Sequence, residues 1–184
     1  MILHDFGSAN FTGWLFIDPV TPATLYVTMS NGGSIYKSTD AGTTWTQIKV
    51  PVASTGFVGD AMPLAIDPRN PSTIYAGTFL ALPFPPSPIQ PATISKSIDG
   101  GQTWMTVPVG VSGNAYVRSL MLDPSNSSVL YAGYIRSGGG GILKSADEGQ
   151  TWREVHTFNS SNSGSTLTTF AISFGRIHAA YVDS

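Results

Sequence analysis

The chain has no cysteine, which removes disulfides and thiolate chemistry from consideration. Charge is scarce as well: Lys, Arg, Asp and Glu make up 11% of the 184 residues, against about a quarter in ordinary globular proteins. With a net charge of −2 and no Lys/Arg block, nothing is built to neutralise phosphates, so no nucleic-acid partner is expected. No apolar run approaches the ~18 residues of a membrane-crossing helix, and the chain is expected not to span a membrane. The opening M-I-L-H-D-F lacks the charged and apolar regions of a secretory leader. His4, His156 and His178 have no ligand spacing, so neither a metal nor a cofactor is expected.

What the chain does have is 20 Gly and 13 Pro, with plentiful Thr, Val, Ile and Tyr. Turn formers alternating with β-branched and aromatic residues predict an all-β protein with many tight turns. The order is repetitive. S-T-D-A-G-T-T-W (Ser38 to Trp45) returns as S-I-D-G-G-Q-T-W (Ser97 to Trp104) and as S-A-D-E-G-Q-T-W (Ser145 to Trp152). A second phrase precedes each octet: F-I-D-P-V-T-P-A-T-L-Y-V, A-I-D-P-R-N-P-S-T-I-Y-A-G-T and M-L-D-P-S-N-S-S-V-L-Y-A-G-Y. Its aspartates, Asp18, Asp67 and Asp123, lie 49 and 56 residues apart. F-A-I-S-F-G-R-I-H-A-A-Y-V begins a fourth copy, with Ser173 in place of Asp. A period of about 50 residues fits a four-stranded propeller blade.

Each unit reads as four antiparallel strands, with the octet on the third hairpin. Within it the Asp can accept turn N–H groups, the Gly can take a positive φ, and the Trp offers an apolar face to the next blade. These roles assign Ser38, Asp40, Gly42 and Trp45, then Ser97, Asp99, Gly101 and Trp104, then Ser145, Asp147, Gly149 and Trp152, to architecture. The expected blades run approximately over 11–49, 57–108 and 115–157, with a partial one over 166–184, all in one segment of 1–184. Three and a half blades do not close a ring of four to eight, so another copy or further blades are expected to complete it.

The octet S-x-D-x-G-x-T-W resembles the Asp-box, or bacterial neuraminidase repeat, of sialidase-like β-propellers. The accompanying D-P-x-N-P-x-x-x-Y-A-G-T phrase is similar to Asp-box propellers related to the photosystem II assembly factor, sortilin-type receptors and xyloglucan-cleaving hydrolases. The resemblance implies that the octets are structural turns placed away from the active face.

Irregular segments, by contrast, all fall at the opposite end of the blades: 49–62, 108–116, 156–166, and L-A-L-P-F-P-P-S-P-I-Q-P over Leu80 to Pro91. Variable loops on a rigid frame are where binding collects. Asp60, Tyr116, Arg118 and Arg136 are therefore expected to converge at the channel mouth as a ligand site. Trp14 stands outside the octets, either as a packing residue or as a sugar-stacking platform. Glu154 is expected in the outermost strand, far from the channel. Lys37, Lys96 and Lys144 precede the octet serines and read as solvated strand ends or an anion ring. The glycines from Gly138 to Gly141 read as a flexible loop. Of 11 carboxylates, six are repeat aspartates, which leaves little for the paired acids of glycoside hydrolysis. The expectation is a non-catalytic scaffold that binds protein or glycan partners, extracellular, periplasmic or at the cell surface. A fragment of a sialidase-like or xyloglucanase-like hydrolase, and an assembly factor docking on a membrane complex, remain as alternatives.

Overall fold

The computed structural model describes residues 13–29, 34–50, 62–77, 92–111, 113, 115–136, 138–159, 166–173 and 176–182. These form three four-stranded antiparallel sheets and one two-stranded sheet, with no helix among the described residues. The first sheet is β1 (Gly13–Ile17), β2 (Leu25–Met29), β3 (Ile35–Ser38) and β4 (Thr46–Ile48). The second is β5 (Leu64–Ile66), β6 (Ile74–Gly77), β7 (Thr93–Ser97) and β8 (Met105–Pro108). The third is β9 (Ala115–Asp123), β10 (Asn126–Arg136), β11 (Gly139–Ser145) and β12 (Arg153–Asn159). The backbone of β13 (Thr166–Ser173) and β14 (Arg176–Val182) begins a fourth. Strand order follows chain order in every sheet, the up-and-down pattern of a propeller blade.

Local chemistry sets each turn. After β1, the Asp18 carboxylate accepts the N–H groups of Val20 and Thr21 at 2.8 and 2.9 Å, an Asx-type turn that Pro19 pre-bends. Asp67 accepts from Arg69 N–H at 2.9 Å, and Asp123 from Ser125 N–H at 2.9 Å. The prolines after these aspartates, Pro19, Pro68 and Pro124, share one concavity of about 300 Å³ with Ile66, Leu120 and Leu122. Turns from three sheets thus converge on a common axis, and β9 stands between β5–β6 and β13.

The octets repeat one hydrogen-bond set. In the first, Ser38 Oγ donates to Asp40 at 2.8 Å and accepts from Gly42 N–H at 2.9 Å. Asp40 accepts Thr44 N–H at 2.8 Å and the Thr44 hydroxyl at 2.7 Å, and Trp45 Nε1 donates to the Gly42 carbonyl at 3.0 Å. The second and third octets make the same bonds through Ser97, Asp99, Thr103 and Trp104, and through Ser145, Asp147, Thr151 and Trp152. Gly42, Gly101 and Gly149 have φ of 90°, 97° and 83°, the region a side chain disfavours.

Packing runs between sheets, not within them. Tyr26, Ile35, Leu64, Ile74 and Ala76 fill the space between the first two, with Trp104 against them. Tyr75, Ile94, Val117, Leu130 and Tyr134 do so between the second and third, with Trp152 against them. Each fully buried large side chain contributes roughly 1.5–3 kcal/mol. On the far face of β1, Leu15 and Ile17 are 60% and 54% exposed.

Two expectations need correcting. The glycine run is mostly strand: Gly139, Gly140 and Gly141 belong to β11 and pair with β12. Gly140 and Gly141 are glycines because neighbours occupy the side-chain space; a Cβ on Gly141 would collide with the His156 carbonyl and stand 2.9 Å from the Tyr134 ring. Two of the three octet lysines, Lys37 and Lys96, are not simply solvated strand ends. Lys37 Nζ lies over the Tyr26 ring and donates to the Gly100 carbonyl of the next sheet at 3.1 Å. Lys96 Nζ lies over Tyr75 and pairs with Glu148 of the next sheet at 2.9 Å.

Candidate functional site

The end of the blades opposite the octets carries the β8–β9 connection and the β10–β11 turn. Asp60 lies outside the described residues. Tyr116 and Arg118 are on β9 and half-buried; Arg136 is the last residue of β10. The β9–β10 register pairs Tyr116 with Ile135, and Arg136 with Ala115. Paired residues of an antiparallel ladder share a face and successive residues alternate, so Tyr116 and Arg136 point to opposite sides of the sheet. Arg118 falls at a bulge, where the register shifts between Gly133 and Tyr134. Burial pulls the Arg118 guanidinium down from its usual range.

Arg136 faces the second sheet instead. Its guanidinium carbon lies 5.7 Å from the centre of the buried Tyr134 ring, a cation–π contact. The Tyr134 hydroxyl, passing over Gly141, donates to the Glu154 carboxylate on β12. Burial, then the bond to Glu154, pushes the Tyr134 hydroxyl up to about 12. Arg136 and Glu154 border a cleft of about 210 Å³ between the second and third sheets. Val109, Gly110 and Val111 of the β8–β9 connection form one wall, and Leu143 and Trp152 the floor. Sequence reasoning placed Glu154 on the outermost strand, which is where β12 lies, but missed that a tyrosine from β10 reaches it. The available signal was a tyrosine followed, across a hairpin, by a run of glycines.

Trp14, at the start of β1, is 42% exposed and stacks on Phe16 with ring centres 6.2 Å apart. Strand β1 starts at the loop end, since Gly13 pairs with Met29, the last residue of β2. An exposed aromatic surface is therefore presented at the loop end of the first sheet.

Every carboxylate among the described residues already accepts a structural hydrogen bond or ion pair. The repeat aspartates hold turns, Asp67 also accepts the Ser127 hydroxyl of the next sheet at 2.7 Å, Glu148 holds Lys96, and Glu154 holds Tyr134. Among the described residues no group of three His, Asp or Glu side chains is arranged to hold a metal ion, and no helix is long and apolar enough to cross a membrane.

No family model matches the chain. Among curated proteins it is similar to a xyloglucanase of Paenibacillus sp, at 34% identity over 143 residues that span 68% of this chain and 13% of that protein. It is also similar to a xyloglucanase of Hypocrea jecorina, at 31% identity over 163 residues, 83% of this chain and 18% of the relative. The chain thus spans less than a fifth of the length of these relatives. Among solved structures it resembles the GH74 enzyme of Niastella koreensis, with 25% identity and a TM-score of 0.67 over 92% of this chain and 26% of that one. YCF48 bound to D1 peptide, at 13% identity and a TM-score of 0.51 over 77% of this chain and 43% of that one, shares the fold alone.

Proposed function

We propose that this chain is a glycan-binding segment of a xyloglucanase-like propeller, holding a xyloglucan chain across its loop end. The observation that carries the reading is Trp14, a half-exposed indole stacked on Phe16 at the loop end of the first strand. A sugar ring presents apolar C–H groups on its faces and hydroxyls at its rim, so it needs a flat apolar surface flanked by polar groups. The likeness to xyloglucanases supports the choice of polymer. In this reading the octets are Asp-box repeats, the blades have the limits given above, and further blades or a second copy cover Leu15 and Ile17. A polysaccharide ligand would place the protein outside the cytoplasm.

The names of the relatives favour a second reading, in which the segment belongs to a hydrolase. Cleavage usually needs two carboxylates flanking one bond. Three carboxylates, Asp5, Asp60 and Asp183, lie outside the described residues. Of these, this reading takes Asp60, seven residues before Asp67 on the approach to the second sheet, as the acid or base this chain supplies, with its partner in further sequence. Calorimetric titration of the full chain with xyloglucan oligosaccharides tests the binding reading, with Trp14→Ala expected to weaken affinity about tenfold or more. Absence of binding by the unmodified chain would sink it. Reducing ends released by the chain and lost in Asp60→Asn would favour hydrolysis.

A further inference from the structure

We propose that the cleft between the second and third sheets is a subsite for one neutral sugar residue, held between Arg136 and Glu154. The proposal rests on the glycan reading above and adds a place and a selectivity to it. The cleft runs down the side of the third sheet from Arg136 at the loop end to Trp152 of the third octet. Tyr134 fixes both groups. Its ring, fully buried, carries the Arg136 guanidinium on one face, and its hydroxyl holds one oxygen of Glu154. Among the described residues the guanidinium makes no hydrogen bond, and the second Glu154 oxygen accepts none. A donor fork and an acceptor, both placed against Tyr134, therefore flank one concavity.

The pairing selects its ligand by charge. An anion would meet Glu154, and a cation would meet Arg136. A neutral diol satisfies both, accepting from the guanidinium and donating to the carboxylate. Val109, Val111 and Leu143 back the cleft but are themselves buried, so its open surface is mainly polar, which suits a hydroxyl-rich ligand, with the part-buried Trp152 as the apolar contact. Gly110 keeps the wall low: its φ is +75° and nothing lies within 4 Å of where a Cβ would be. At about 210 Å³ the cleft holds roughly seven waters, at ~30 Å³ each. That is room for one sugar ring, and it is below the ~300–1,000 Å³ of pockets for larger ligands.

The test uses the full chain with the side-chain Nε–H resonance of Arg136 as a local reporter. Glucose and xylose are titrated singly, then glucuronate and glucosamine, then a xyloglucan oligosaccharide, with Glu154→Gln and Arg136→Ala compared. The expected result is that neutral sugars shift the Arg136 resonance, that charged analogues bind at least several-fold more weakly, and that each variant weakens oligosaccharide binding five- to tenfold. Glu154 and Arg136 lie at the surface, and unchanged melting temperatures would show that the variants fold. Oligosaccharide binding lost in Trp14→Ala but intact in both cleft variants overturns the subsite and leaves the glycan reading standing. Single sugars that shift Arg136 while the oligosaccharide fails to bind keep the subsite and remove the xyloglucan reading. A resonance unmoved by every sugar, or moved only by a charged peptide, overturns the subsite.

Discussion

Lys96 reaches out of the second sheet and places its ammonium 2.9 Å from the Glu148 carboxylate in the octet of the third. Lys37 makes the equivalent reach from the first sheet to the Gly100 carbonyl of the second octet, at 3.1 Å. In both, the lysine stem lies beside a tyrosine on the neighbouring strand, Tyr75 or Tyr26. One repeat position thus does two jobs, shielding an aromatic ring within its sheet and tying that sheet to the next octet.

The carboxylate half of the Lys96 pair is more than half exposed, so water screens most of the attraction. A double-mutant cycle with Lys96→Met and Glu148→Gln should give a coupling of only about 0.2–1 kcal/mol. Urea unfolding at low salt and at about 1 M salt checks it, because the coupling should shrink as the Debye length falls to about 3 Å. Lys96→Met alone should cost more than Glu148→Gln, since it also forfeits the contact with Tyr75, worth ~0.5–1 kcal/mol at exposed sites.

Glycines at sheet contacts should be far less replaceable than glycines in open turns. A Cβ at position 77 would stand 2.6 Å from Val117 Cγ1, across the seam between the second and third sheets. Gly77→Ala should therefore cost about 1–3 kcal/mol through forced separation of the sheets. Gly110→Ala meets no neighbour and should cost only the ~1 kcal/mol of a left-handed backbone. Chemical-denaturation midpoints of the two variants decide it; an equal effect would mean that the seam relaxes freely.

The sheets were legible because their turns are made from residues close in sequence. Asp18 bonds to Val20 and Thr21, and Ser38 to Asp40 and Gly42, so the repeating letters carry the geometry with them. Links between sheets were not legible. Ser127 bonds to Asp67, and Arg69 donates to the Ser125 carbonyl at 2.7 Å, across 60 and 56 residues. Nothing local encodes such pairings. The cleft was hidden for a related reason. Whether Arg136 shares a face with Tyr116 depends on hairpin register and on the bulge at Arg118, and one residue of slip inverts the answer. Glu154 looked remote because its link to Tyr134 passes over a side chain that Gly141 does not have.

The octets should make the fold resistant to mild acid. Bonds from the Thr44 hydroxyl and N–H, then from Ser38, lower Asp40 to about 2, and the matching bonds from Thr151 and Ser145 lower Asp147 to about 2. Asp99 is lowered by the same set, led by the Thr103 hydroxyl. A carboxylate whose folded value lies below its unfolded value of about 4 contributes stability above pH 4 and loses it as pH falls through about 2. Melting temperature should hold down to about pH 4 and then drop, with protons taken up on unfolding. Asp147→Asn should melt lower than the unmodified chain at pH 6, and the gap should narrow towards pH 2. A gap independent of pH would show that the bonds do not depend on the ionised carboxylate.

At the alkaline limit the tyrosines reverse the sign. Burial, reinforced by Asp18, pushes the Tyr26 hydroxyl up to about 12, and burial with the Glu154 bond does the same for Tyr134. Unfolded tyrosine ionises near 10. Between pH 10 and 12 the unfolded chain therefore releases protons that the folded chain retains, and stability falls as pH rises through that window. Absorbance titration near 295 nm should show normal tyrosines ionising first, with Tyr26 and Tyr134 following only as the sheets separate. Tyr134→Phe should remove one late-titrating group and leave the Glu154 carboxylate without its donor. Because the hydroxyl is buried against a charged acceptor, the variant should lose about 1.5–3 kcal/mol near neutral pH, a deficit that closes above pH 10. Ionisation of every tyrosine in one step near 10, with the sheets still folded, would show that Tyr134 and Tyr26 are open to water.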